Sequence, residues 1–455
     1  MHYTGAIAKD ASTPKISLEA AKLTVLCSTA MSDKPNILFL MVDCLRADKV
    51  FSPTRGCKTP FLDELRSRGV SFTQCISTTT TTTPSTTALM TGQFPAFNGV
   101  RSHSGYKLNP DTTTVAQHLK NAGYRTIGRL TGPLSLEVGL DRGFDDYQCR
   151  KRADYVFGPW GEKLLNELRG LKSPWYMHLH FFELHKPRQI LPQFDNGEFG
   201  RNYYERSFSS LDPMLKRIVE AAGPNTVIFL TGDHGERLRD TVAQEKLSRL
   251  LRPITRGVKR VRKMLFPADP ISDAFYETGH GFHVYDELVR VPLVCVGPMF
   301  PAGAKVDKQV RHVDIAPTIL EAAGATPESW QINGKSLFPI VHGQETEDRQ
   351  AYCEAVGAVL PNKQSWIVAI RTTKHKYCYR PFAEKQMEEL YDLQTDPNEQ
   401  NNLAASRADL CKELREKLKI VSQEVETQPI LRGEKMSEAE QQILEERLKD
   451  LGYIE

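Results

Sequence analysis

Asn36-Ile-Leu-Phe-Leu-Met-Val42 is an unbroken apolar run that ends on Asp43. A strand buried on both faces reads this way, because a parallel sheet covered by helices leaves no solvent side for polar residues. The pattern returns along the chain. Tyr176 to Phe182 runs out into Glu183 and His185, Val227 to Thr231 runs into Gly232-Asp233-His234-Gly235, and Val291 to Val296 is a further strand. Between them, Thr114 to Ala122 sets Val115, Leu119 and Ala122 on one helical face, and Val313 to Ala323 is a second helical stretch. Strands alternating with helices predict an α/β fold: a large, mostly parallel mixed sheet sandwiched by helices. Ligands in such folds lie beyond the carboxyl ends of the strands. Asp43 and Asp233-His234 are therefore where a site is expected.

The chain has 455 residues, 40% hydrophobic and 25% charged, with a net charge of +3. This fits one large domain with a smaller partner, and it excludes a wholly disordered chain and a global nucleic-acid polycation. No apolar run approaches the roughly 20 residues that span a bilayer. Residues 1–34 carry Lys9, Asp10, Lys15, Glu19 and Lys22 without the apolar core of a signal peptide, and are expected to be a loosely attached extension. The nine cysteines are scattered and form no CxxC pair, so a reducing, cytoplasmic setting is expected. Residues 35–340 read as the main domain. After that point Ser365 to Arg371 and Lys376 to Arg380 form a hairpin pattern, Leu390 to Leu393 a further strand, and 404–422 and 436–451 charged amphipathic helices, so 341–455 is expected to be a small α+β subdomain.

One insertion stands out at 237–275. From Arg237 to Lys263 there are ten Lys and Arg against Asp240 and Glu245, with Leu247, Leu250, Leu251, Ile254, Val258 and Val261 interleaved. A solvated amphipathic insertion is one reading. The other is a surface, 237–266, that draws in an anionic substrate or makes peripheral contact with a membrane. Aromatic residues for base stacking are nearly absent there, so no specific nucleic acid is expected.

Asp233-His234 in a glycine-flanked turn offers oxygen and imidazole ligands side by side, which suits a divalent ion such as Zn²⁺ or Mn²⁺. From about residue 35 onward the chain resembles the sulfatase family of the alkaline phosphatase superfamily. The resemblance rests on Pro35-Asn-Ile-Leu-Phe-Leu-Met-Val-Asp43, Thr82-Thr-Pro-Ser85 with Ala88-Leu-Met-Thr-Gly92, Thr231-Gly-Asp-His-Gly-Glu236 and Gly279-His-Gly281. Arg290-Val-Pro-Leu293, Asp314-Ile-Ala-Pro-Thr318 and Glu389-Leu-Tyr-Asp-Leu393 follow in the family's order.

The departures from that family shape the expected chemistry. Sulfatases carry Cys or Ser in Cys-x-Pro-x-Arg, converted to formylglycine; here those positions hold Thr82 and Thr86. The family's second strand-end Asp is Cys44, and its later Asn is His234. The resemblance to the superfamily's phosphoglycerol and phosphoethanolamine transferases implies Asp43, Thr82, Asp233 and His234 around one cation, Zn²⁺ or Mn²⁺ before Ca²⁺ or Mg²⁺. Thr82 is then the nucleophile, and His185 and His280 are further catalytic groups. His185 and Lys186, in Glu183-Leu-His-Lys-Pro187, fall in the family's anion-contacting loop, and His283 is a weaker substrate-binding candidate. Arg46 and Asp48 read as an ion pair tying the loop. The expected activity is hydrolysis or transfer of a phosphate ester, lipid- or sugar-linked. A sulfuric ester hydrolase working without formylglycine and an inactive binding protein are the alternatives.

Overall fold

The computed structural model describes residues 34–239, 241–247, 250, 279–357, 366–383, 387–427, 436–451 and 453. The N-terminal extension up to residue 33 and most of the basic insertion, 251–278 included, lie outside the described residues. Pro35–Glu455 form one unit.

Eight strands make the main sheet: β1 Asn36–Val42, β2 Val70–Ile76, β3 Arg125–Leu130, β4 Asp146–Cys149, β5 Trp175–Phe181, β6 Thr226–Gly232, β7 Arg290–Val296 and β8 Ala304–Arg311. Their spatial order is β4-β3-β5-β1-β6-β7-β2-β8. All pairs are parallel except that β7 runs against both β6 and β2. The strand expected at Val291–Val296 is thus present, and it is the one that makes the sheet mixed.

The period-2 geometry of β1 explains why its sequence is apolar throughout. Ile37, Phe39 and Met41 face a layer with Val115, Ala116 and Leu119 of the helix Val115–Asn121 and Ile315 and Ile319 of the helix Ile315–Ala322. Leu38, Leu40 and Val42 face the opposite layer, with Leu62 and Leu65 of Pro60–Ser67, Leu164 and Leu168 of Pro159–Gly170, and Leu211 and Leu215 of Tyr203–Ala222. Each such fully buried side chain contributes about 1.5–3 kcal/mol relative to exposure. The helix Val115–Asn121 starts with a capping box, Thr114 accepting from the Gln117 amide while the Gln117 side chain accepts from Thr114.

A second sheet, four-stranded and antiparallel, has the order β12-β11-β10-β9: β9 Ala351–Ala355, β10 Ile367–Arg371, β11 His375–Tyr379 and β12 Glu388–Asp392. It is the hairpin region expected from sequence, flanked by the helix Ala408–Thr427. It meets the rest through buried charge. Asp286 accepts from Arg371 Nη2 at 2.7 Å and Lys376 Nζ at 2.6 Å, and Lys376 also reaches Glu399 at 2.8 Å. Its edge strand also touches the threonine run: Glu354 N donates to Thr78 O at 2.9 Å. The chain ends with the helix Glu438–Leu451, whose Leu444, Leu448 and Leu451 are buried.

Candidate functional site

The carboxyl ends of β1, β5 and β6 are neighbours, and each delivers polar side chains beyond its last rung. Asp43 follows β1 with no exposure, His180 sits near the end of β5 in register with Met41, and Asp233 and His234 follow β6. The turn after β6 requires glycine at Gly235, because a Cβ there would collide with the Glu287 carbonyl. Arg46 ion-pairs with Asp48 at 2.7 Å and with Glu287 at 2.8 Å, so the loop after β1 is tied as expected.

Thr82 opens a ten-residue buried helix, Thr82–Thr91, capped at its far end by Gly92 in the left-handed region at φ 65°. The threonine run before it is a buried loop with an isolated bridge from Thr79 to Glu354. Within the helix, buried threonine hydroxyls find backbone acceptors one turn back: Thr87 Oγ1 donates to Thr83 O and Thr91 Oγ1 to Thr87 O, both at 2.7 Å. The helix start presents its amides and positive dipole end to the site, a favourable place for an anion. Thr86, at the family's Arg position, points its hydroxyl at Met41 Sδ, 3.7 Å away.

Thr82 Oγ1 lies 3.2 Å from Asp43 Oδ2 and 3.2 Å from His234 Nε2. His234 Nδ1 lies 2.8 Å from Gly235 O. That carbonyl holds the Nδ1 proton, which leaves Nε2 as an acceptor for Thr82. Asp233 Oδ1 accepts from the amides of Cys44 and His234 at 3.0 and 2.8 Å, and its backbone carbonyl accepts from Ser77 and Ser85. Cys44 replaces a carboxylate with a thiol that donates to Asp43 Oδ1 at 2.7 Å, from a backbone held at φ 61°.

Two buried acceptors are orphaned. Asp233 Oδ2 and His180 Nε2 have no hydrogen-bond partner among the described residues. His180 Nδ1 is turned to Thr131 O at 3.1 Å, so its Nε2 lone pair faces Asp43 Oδ2 at 3.5 Å. Opposed acceptors in a dry site are costly unless a cation lies between them. Asp43, His180 and Asp233 each offer a ligand atom within 4.8 Å of the others, and Cys44, His234 and His280 form a second such group alongside. The residues therefore fit one divalent ion, with mixed oxygen and nitrogen donors. Burial and the Asp43 charge push Asp233 up to about 6, and Asp43, despite burial, is held well below the carboxylate range only when the imidazoles of His180, His185 and His234 beside it carry positive charge, a charge that a divalent ion would supply with those rings neutral.

His180 was not singled out from sequence, although the buried pair His178 and His180 in β5 was a readable signal. His103 was also missed: buried, its Nδ1 is hydrogen-bonded with the Thr83 hydroxyl at 2.8 Å. His185 stacks on Phe182 with centroids 4.3 Å apart, and its Nδ1 faces Lys186 O at 2.9 Å. His280 lies 4.3 Å from His234, centroid to centroid. Burial lowers the pKa of both His185 and His280. Glu183, at the start of the same loop, forms a buried bidentate pair with Arg150 at 2.8 and 3.0 Å. Lys186 Nζ pairs with the buried Glu236 at 3.1 Å. His283, a substrate-binding candidate on sequence, lines a cavity together with His280, while its Nε2 lies 3.1 Å from Glu389 and its ring stacks on Tyr285. Glycines at φ 125° and 93°, Gly279 and Gly281, flank His280 in this stretch.

A family model described as Sulfatase matches residues 35–325, and one described as N-sulphoglucosamine sulphohydrolase, C-terminal, matches 280–424. The Ulvan-active sulfatase of Formosa agariphila is 24% identical over 83% of this chain and 78% of its own length. The Steryl-sulfatase of Rattus norvegicus is 30% identical over 75% and 76%. Among solved structures, the phosphonate monoester hydrolase of Agrobacterium radiobacter superposes with a TM-score of 0.66 at 20% identity, over 86% of this chain and 96% of that one, and shows the same fold.

Proposed function

The chain belongs to the sulfatase family of ester-bond hydrolases, and we propose that it hydrolyses sulfuric esters with the Thr82 hydroxyl in the place of formylglycine. The observation that carries this reading is the pairing of Thr82 Oγ1 with His234 Nε2 and Asp43 Oδ2, both at 3.2 Å, at a helix start beside two orphaned ligand atoms. A divalent ion held by Asp43, Asp233 and His180, with His234 next to it, would supply Lewis-acid stabilisation of developing negative charge. The protein's own part is separable from that. His234 Nε2 or Asp43 Oδ2 takes the Thr82 proton as its oxygen bonds to the central sulfur and the bridging ester oxygen leaves with the electron pair of the broken S–O bond, and the start of the Thr82–Thr91 helix turns its positive dipole end to the remaining ester oxygens. His185 and His280, kept neutral by burial, line the side from which a leaving group departs.

Phosphate or phosphonate esters are the second reading. A plain threonine hydroxyl does not release its product by the collapse open to a formylglycine hydrate, so the second step must be attack by water at the central atom. The likeness in fold to a phosphonate monoester hydrolase points the same way. A sugar-linked ester follows from the relatives' names, and a lipid-linked acceptor rests on the 237–266 composition. Among the described residues no helix is long and apolar enough to cross a membrane.

The test is parallel turnover of p-nitrophenyl sulfate and bis-p-nitrophenyl phosphate by the metal-replete protein, with elemental analysis of the same sample. Sulfate-ester cleavage with about one equivalent of Zn or Mn supports the first reading. Cleavage of the phosphodiester alone moves the assignment to the second.

A further inference from the structure

Tyr453 is two residues beyond the last described helix, and although the residue is only partly buried its hydroxyl is enclosed. The ring centroid lies 5.0 Å from that of His103, 5.1 Å from His185 and 6.3 Å from His280. Its hydroxyl is buried without a hydrogen bond of regular geometry among the described residues, and the Thr82 side chain is within its interaction range. A phenolic O–H buried without a full partner is costly, and this one is carried by a ring that stands among His103, His185 and His280.

The placement is built rather than incidental. Tyr453 N donates to Leu448 O at 2.9 Å, closing the helix end. Arg447 donates to Gly132 O at 2.7 Å and Arg150 O at 3.2 Å, and Arg152 donates to Leu451 O at 2.6 Å. Lys107 holds Glu440 at 2.9 Å near the other end of the helix. The strap thus runs from the helix start to the residues beside β3 and β4, with three leucines seated beneath it.

We propose that Tyr453 is a substrate-contacting residue, its phenolic hydroxyl donating a hydrogen bond to an oxygen of the tetrahedral anion bound at Thr82. This rests on the hydrolase reading for its substrate class, while the contact itself is with the oxyanion.

The experiment compares the full chain with Tyr453→Phe and Tyr453→Ala, loaded with Mn²⁺, in calorimetric binding of inorganic phosphate and in turnover of both p-nitrophenyl esters. The expected result is a roughly tenfold or greater loss of phosphate affinity in Tyr453→Phe, at an unchanged unfolding midpoint, with Tyr453→Ala no better. Unchanged phosphate affinity in Tyr453→Phe, absence of phosphate binding in the parent chain, or faster turnover in Tyr453→Ala would each overturn it. The last would mark the tyrosine as an occluding plug. Loss of phosphate affinity in Tyr453→Phe without turnover of any ester by the parent would keep this inference and remove the hydrolase reading.

Discussion

The Thr82 hydroxyl lies 3.2 Å from His234 Nε2, and the other nitrogen of that ring is committed to the Gly235 carbonyl at 2.8 Å. A single backbone contact thus sets the tautomer that can accept the threonine proton. His234→Gln, which removes the basic nitrogen, is expected to lower kcat by about 10²–10⁴-fold with a smaller change in KM. Steady-state kinetics on either p-nitrophenyl ester measures this, and a change confined to KM would contradict it.

Asp233 Oδ2 and His180 Nε2 are unpartnered ligand atoms of one potential metal group, which Asp43 completes. Asp233→Asn and His180→Ala are each expected to reduce bound Zn or Mn well below one equivalent, and chelation of the parent chain to abolish turnover. Elemental analysis after gel filtration decides it. Full metal occupancy in His180→Ala would remove that histidine from the ligand set.

The Arg150–Glu183 pair is almost fully buried, at 2% and 1% side-chain exposure, and Arg150 also packs over Trp160 with 4.7 Å to the ring centroid. Removing one partner strands the other charge in a dry environment. Glu183→Ala should cost about 3–5 kcal/mol in urea unfolding. A loss under 1 kcal/mol would mean that water reaches Arg150.

Asp212 receives the amides of Phe61 and Leu62, both at 2.9 Å, at the start of the Pro60–Ser67 helix, yet burial pushes its pKa up to about 6. A carboxyl with a folded pKa above its unfolded 3.8 binds more protons when folded, so its contribution to stability falls as pH rises from about 4 to about 6. Asp212→Asn should flatten that segment of the stability–pH curve. An unchanged slope in the variant would place the titration elsewhere.

The strand ends were legible because a both-faces-buried strand cannot hide a polar residue until its rungs are finished: Asp43, Asp233 and His234 announce themselves that way. Thr82 was legible only through the order of motifs, since nothing within a run of threonines marks one of them as a nucleophile. His180 was obscured by alternation, which explains a histidine inside a strand as readily by packing as by ligation. His283, three residues past His280 and the weaker of the two candidates on sequence, has its Nε2 on Glu389, a partner far along the chain that no local pattern indicates. Tyr453 could not be placed from sequence at all. Its position follows from the path of the last helix, fixed by Arg447 and Arg152 contacts that no local pattern encodes.

The most direct measurement is turnover of p-nitrophenyl sulfate and p-nitrophenyl phosphate by the Mn²⁺-loaded chain beside Thr82→Ala and Thr82→Ser. The account predicts hydrolysis of at least one ester, a loss of about three orders of magnitude or more in Thr82→Ala, and partial retention in Thr82→Ser. Hydrolysis undiminished in Thr82→Ala, or none by the parent chain with either ester, would contradict it.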